Sequence, residues 1–190
     1  DYYGFCHYRR FFSFNREEIP ETVWGTIEYD YLDDAAIKEL HFNERDMENY
    51  INNYDFLIAK GISINSLGAS SVYEHYKNAS ELHIEDVDIL LEIIKEKYPY
   101  LSESAEEYFQ GKVFFPCNMF IMKKEVFHTY SAILFDLLDE FEKRADMSEY
   151  SREGYRTTGH LGERITGIYY LYLQKQKKYR LGELQIALIH

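Results

Sequence analysis

Two adjacent arginines near the start of the chain are the first residues that could do chemistry. Residues 1–14 read DYYGFCHYRRFFSF: Tyr2, Tyr3, Phe5 and Cys6 form an apolar run, His7, Tyr8, Arg9 and Arg10 follow, and Phe11 and Phe12 return to aromatic character. The apolar run predicts a buried strand. A buried strand that ends on a histidine and two guanidinium groups is costly unless an anion meets them. Arginine binds phosphate or carboxylate oxygens in bidentate fashion, so His7, Arg9 and Arg10 are expected to hold an anionic ligand at one end of a sheet, where open α/β folds bind ligands. The competing expectation pairs both arginines with the chain's many carboxylates as structural ion pairs. Successive strand side chains point to opposite faces, so only one arginine reaches a cleft unless the strand has already ended. Lys60 follows a second short apolar run, YDFLIA, and is a further candidate for phosphate.

Other polar residues invite weaker readings. Glu163 stands in GHLGER beside Arg164, just inside an expected helix whose N-terminus would favour its charged form. His160 lies one turn earlier. Asn118 ends an apolar run, as a side chain either for a ligand hydroxyl or for holding the backbone. Tyr73, His75, Tyr76 and His83 cluster in sequence, with local structure as the plainer explanation. Asp86-Val87-Asp88 spells a metal-binding pair, but it falls inside a helical pattern. Positions i and i+2 diverge there by about 200°, so the pair is expected to be a solvated helix start. Asp30, Asp33 and Asp34 form a looser acidic cluster. No glycine-rich phosphate loop, Ser-His-Asp order or HExxH pattern is present.

The elements that must position these residues follow from periodicity. Residues 54–59 read as a buried strand closed by Lys60-Gly61, and residues 62–71 as a Ser/Gly/Asn-rich loop. Asn43 is a cap for a short helix over 44–50, with acids in its first turn. Residues 83–98 predict a helix with Ile84, Val87, Leu91, Ile94 and Tyr98 on one stripe, stopped by Pro99. Residues 113–122 read as a strand interrupted by Pro116, hence a bulge or an edge. The strongest helix runs over 124–144, and another over 161–174. Residues 145–158 read as a polar connection and 185–189 as a last strand. Strands and helices alternate, so the fold class is α/β.

HYRR after an apolar strand, NMFIMKKEVF at 118–127 and GHLGERITGIYY at 159–170 occur in this order. Together they resemble a family of bacterial capsule and O-antigen glycosyltransferases, of the domain-of-unknown-function 4422 type. The resemblance covers about residues 1–172. It implies a GT-A-like, Rossmann-like mixed sheet flanked by helices, whose first nucleotide-binding strand is expected to lie before or outside this single domain, in a larger protein. It implies transfer of a sugar from a nucleotide-sugar donor, a UDP-sugar foremost, to a glycan or lipid-linked glycan acceptor. His7, Arg9, Arg10 and Lys60 would then hold the donor diphosphate. Many GT-A enzymes place an Asp-x-Asp pair and a divalent ion at the position of HYRR. The arginines would take over that task, and Mn or Mg is not the favoured device. Glu163 would be the base that deprotonates the acceptor hydroxyl, with His160 as fallback. Asn118, Tyr76 and His83 would line the acceptor side.

Composition sets the outer bounds. With 46% hydrophobic and 28% charged residues the chain is an ordinary globular domain with a sizeable core. A net charge of −12 excludes nucleic acid as the main partner and broad adhesion to an anionic membrane. Cys6 and Cys117 each lie in an apolar run and read as buried reduced thiols. No signal peptide and no apolar run of membrane-spanning length is seen, so the expected location is cytoplasmic, peripheral at the inner face of the cell membrane. The tyrosine excess equally fits an alternative: a non-catalytic glycan-binding or scaffolding module beside another transferase. A metal-dependent transferase using Asp30, Asp33 and Asp34 is a second alternative.

Overall fold

The structure, a computed structural model, describes all residues from Asp1 to His190. Its centre is a four-stranded mixed sheet in the order β1 (Tyr2–Phe5), β7 (Phe120–Lys123), β4 (Phe56–Ala59), β8 (Leu181–Leu184). β7 runs antiparallel to both neighbours, and β8 lies parallel to β4. β4 is buried along its whole length, as YDFLIA suggests. A second sheet has β9 (Ile186–Ile189) between β2 (Arg10–Phe12), antiparallel to it, and β3 (Thr26–Tyr29), parallel to it. A short pair, β5 (Ile62–Ser63) and β6 (Val113–Phe114), completes the strands. The chain passes between the two larger sheets three times: through the turn at His7–Arg10, from β3 to β4 across residues 30–55, and through Gln185.

Seven helices flank this framework. α1 (Asp34–Glu39) and α2 (Glu44–Ile51) are short and capped by Asp33 and Asn43, whose carboxylate and amide oxygens accept from the third backbone N–H. α3 (Val72–Asn78), α4 (Ile84–Lys97), α5 (Ser102–Gln110), α6 (Lys124–Arg144) and α7 (Thr157–Gln176) build the main core against the four-stranded sheet. A smaller core of Phe12, Phe14, Leu57, Ala59, Met119, Leu184 and Ile186 fills the space between the two larger sheets. α7 is the most enclosed helix. Gly167 is the condition for that: a Cβ there would stand 2.5 Å from the ring of Tyr108 on α5. No helix is long and apolar enough to cross a membrane.

Several expectations need correction. The first strand is not buried: β1 is a sheet edge, and Tyr3 and Phe5 are exposed. Cys6 is exposed as well, while Cys117 is largely enclosed. The 62–71 loop holds β5 and a 3-10 turn at Ile64–Leu67. α7 begins at Thr157, before its apolar period starts, so Glu163 sits nearly two turns inside it and not at its positive end. Asp86 is fully buried, not solvated, while Asp88 is exposed. The divergence across a helix separates the two as expected, but the inner face of α4 meets α7 there.

Candidate functional site

α7 carries the buried Arg164 guanidinium, and its start is held by a buried polar cluster. Thr157 donates to the Asp86 carboxylate and shares a 2.8 Å hydrogen bond with the Tyr76 hydroxyl. The Tyr150 hydroxyl donates to the same carboxylate at 2.6 Å. α3, α4, α7 and the segment before α7 are thus tied at one point. Further along the helix, Glu163 and Arg164 form an ion pair of 2.7 Å. The guanidinium also donates to the His160 carbonyl and lies over the rings of Phe114 and Tyr76.

The second contributor is the break at Pro116. Here the strand expected over 113–122 divides into β6 and β7. Cys117 and Asn118 between them adopt φ of 70° and 47°, a left-handed conformation that costs an L-residue about 1–2 kcal/mol each. Contacts from elsewhere hold this turn. The Cys117 N–H donates to Glu163 at 3.1 Å, and its carbonyl meets the His7 imidazole. The Asn118 amide oxygen accepts from Thr166 at 2.7 Å, and Thr166 also shares a bond with the Tyr130 hydroxyl.

The third contributor is HYRR. β1 ends at Phe5, and His7–Arg10 is a tight turn closed by the Arg10 N–H on the His7 carbonyl. The strand has ended, so its alternation no longer forces the two arginines apart. Tyr8 is 83% exposed at the tip and carries the Arg9 guanidinium over its ring. Neither Arg9 nor Arg10 pairs with a carboxylate, as is also true of Arg16, Arg45 and Arg152. The structural ion-pair expectation therefore has no support in the geometry. Arg10 stands near enough to Cys117 to pull its thiol down, yet burial dominates and pushes that thiol up to about 11.

Electrostatics separate the acid–base candidates. Burial raises the Glu163 carboxyl above its ordinary value, against the opposing pull of Arg164, the Cys117 N–H and His7. Burial lowers the His160 imidazole, helped by Arg164 and Arg156, so it is neutral at pH 7. His75 is lowered for the same first reason and by Arg164. Beside the three contributors lies a groove of about 380 Å³, lined by Phe5, Asn118, Phe120, Phe135, Thr158 and Gly162 among others.

The structure brings His7, Arg10, Asn118, His160 and Glu163 to one region, with Arg9 at its rim. It leaves three candidates out. Lys60 is held by Glu18 at 2.9 Å and Glu21 at 3.1 Å, so its charge is already met by carboxylates. His83 is exposed and stacks on Tyr150 at 4.0 Å. Tyr76 is fully buried and supports the start of α7 instead of lining a surface. Asp33 caps α1, and nowhere do three His, Cys, Asp or Glu side chains gather as a metal site. Sequence reasoning missed Arg164, Thr166 and Asp86. For Thr166 a signal existed, since it lies one turn from Glu163 on a helix face that is otherwise apolar.

These features define a GT-A-like glycosyltransferase fold: a mixed sheet flanked by helices, closely matched by a solved "WbbM bifunctional glycosyltransferase" in its apo form. The match has a TM-score of 0.94 at 31% sequence identity, and covers 100% of this chain and 33% of that one. Residues 1–176 match the family described as "Domain of unknown function (DUF4422)", and the chain belongs to that family. It is glycosyltransferase-like and spans about a third of the length of the solved relative. No curated protein matches its sequence.

Proposed function

We propose that this domain transfers a sugar from a nucleotide-sugar donor, a UDP-sugar foremost, to a growing cell-surface glycan of the capsule or O-antigen kind. One observation carries the reading: three motifs distant in sequence meet at Cys117, which has the His7 imidazole on its carbonyl, the hydrogen-bonded, largely enclosed Glu163 carboxylate on its N–H and the unpaired Arg10 close to its thiol. The structural relative's title supports the same reaction class. Arg10, with Arg9, holds the diphosphate and balances its charge as it leaves. His7 orients the turn through Cys117. Glu163 takes the proton of the acceptor hydroxyl, with neutral His160 as the second base within reach. Asn118 and the groove beside it receive the acceptor, a glycan or lipid-linked glycan.

Titration with UDP and a panel of UDP-sugars, first without metal and then with manganese, tests this. Metal-free binding that Arg10→Ala weakens at least about tenfold is expected, because a charge-assisted hydrogen bond is worth about 1.5–3 kcal/mol. Binding that requires manganese would move the site to carboxylates. Glu163→Gln is expected to lose transfer while keeping donor affinity.

A second reading has one observation in its favour. Both Glu163 oxygens already accept hydrogen bonds, as in a residue that only pins a turn. On this reading the domain binds glycan without turning it over, and Glu163→Gln would leave glycan affinity intact.

A further inference from the structure

We propose that Arg164 is a positioning residue, which holds the Glu163 carboxylate in place through a charge-assisted hydrogen bond without touching substrate. The inference rests on the reading of Glu163 as the acceptor's base.

Arg164 lies deeper than the group it serves. Its side chain is 3% exposed, against 21% for Glu163. One terminal nitrogen donates to Glu163 at 2.7 Å and to the His160 carbonyl at 3.2 Å. The guanidinium carbon lies 4.5 Å from the Phe114 ring centre and 5.2 Å from that of Tyr76. Its Nε is buried with no hydrogen-bond partner. As a device for stability this is a poor choice, since a well-packed apolar side chain in such a place is often neutral or better. The arginine makes sense through its carboxylate. The Cys117 N–H holds one carboxylate oxygen and Arg164 the other, so the group cannot rotate away.

The surroundings show why this cation matters. The titratable and charged groups around the pair are His7 beyond the end of β1, Arg10 at the start of β2, Cys117 in the Pro116 turn, Tyr108 on α5, His75 and Tyr76 on α3 and His160 on α7. Burial pushes Glu163 toward its neutral form, and Arg164 is the strongest charge opposing it. Burial lowers the His160 and His75 imidazoles, and the same cation adds to that lowering. One buried arginine thus opposes the neutralisation of the carboxylate and adds to the burial that disfavours charge on the two nearby imidazoles.

The test is a direct titration of Glu163 by NMR in protein labelled with ¹³C at the glutamate carboxyls, its signal identified by its loss in Glu163→Gln. Arg164→Met is expected to move the Glu163 midpoint up by about one to three pH units, and Arg164→Lys to restore part of the shift. The His160 midpoint is expected to rise in the same variant. A folded Arg164→Met protein with an unmoved Glu163 midpoint would overturn the proposal. Should that variant fail to fold, Arg164→Gln keeps the polar reach without the charge, and an unmoved midpoint there is equally decisive. Turnover of the UDP-sugar panel separates this from the reading beneath it. If the midpoint moves but Glu163→Gln retains full transfer, Glu163 is not the base, and the proposal falls with it. If Glu163→Gln is inactive and the midpoint stays, only the role of Arg164 fails. If both hold, the acid limb of the pH–rate profile is expected to follow the midpoint upward in Arg164→Met.

Discussion

Asp86 shows what one buried carboxylate can organise. It accepts from Thr157 and Tyr150, and Thr157 in turn meets Tyr76. Asp86→Ala removes both acceptor bonds at once. Tyr150 lies at the surface edge and can turn to water, but Thr157 is fully buried and keeps only Tyr76. A lost bond to a charged acceptor is worth about 1.5–3 kcal/mol, and a stranded hydroxyl adds to the loss. We expect Asp86→Ala to lower unfolding stability by about 2–4 kcal/mol, and Asp86→Asn, which keeps an acceptor oxygen, by clearly less. Urea unfolding of both variants checks this, and equal losses would show that charge and not hydrogen bonding holds the cluster. The sequence revealed little of this. Residue type and spacing exposed Arg10 and Glu163, because paired arginines after an apolar run and a glutamate in a glycine-rich motif stand out. They could not expose Arg164 or Asp86, because the burial of a charge is decided by a second packing layer that a single helix period does not contain.

At the scale of elements, Gly167 sets how closely α7 approaches α5, and through that where Glu163 stands. An alanine inside a helix normally gains about 1 kcal/mol over glycine. Here the new methyl would meet the Tyr108 ring at 2.5 Å, and that ring is fully buried with nowhere to go. Overpacking costs about 1–3 kcal/mol, so the clash outweighs the propensity. Gly167→Ala is expected to lower the melting temperature, whereas Gly159→Ala, whose Cβ meets nothing, is expected to raise it slightly. Thermal unfolding of the two side by side decides it. The long helices were legible because their apolar stripes are local: α6 runs over Lys124–Arg144 as its period requires, and α4 ends before Pro99. The start of α7 was not, since Thr157, Thr158 and Gly159 are weak helix formers held by Asp86 and not by their own propensity. β3, β5 and β8 escaped notice because short strands draw their identity from distant partners. Pro116 marked the break before β7, but nothing in a Cys-Asn pair announces two left-handed residues in succession.

At the scale of the whole molecule, the four-stranded sheet is clamped at the end away from the arginines. Asp55, 14% exposed, pairs with Lys123 at 2.7 Å and with Arg180 at 3.2 Å, at the start of β4, the end of β7 and the entry to β8. Burial works against its charge, but the bonds from Arg180 and Lys123 prevail and draw the carboxyl down from 3.8 to about 2. In the unfolded chain the group regains an ordinary value, so between the two values the unfolded state binds more protons. The stabilisation is therefore fully present above about pH 4 and fades as pH falls toward 2. A shift of this size corresponds to roughly 2 kcal/mol. Asp55→Asn leaves Lys123 and Arg180 free to turn to solvent, since both are well exposed, so it removes the charge without stranding its partners. The stability difference between wild type and Asp55→Asn is expected to be roughly 2 kcal/mol at pH 7, to shrink below pH 4 and to vanish near pH 2. Urea unfolding across that range measures it, and a difference that stays constant with pH would mean that the side chain acts by packing alone. Donor binding at pH 7 is expected to be unchanged in the same variant, because the clamp and the arginine turn lie at opposite ends of the sheet: Tyr2, not Phe5, is the residue of β1 aligned with Lys123. The Asp55 clamp thus satisfies its charges at one end of the sheet, while Arg9 and Arg10 stand without carboxylate partners beyond the other, where the proposed function places the donor diphosphate.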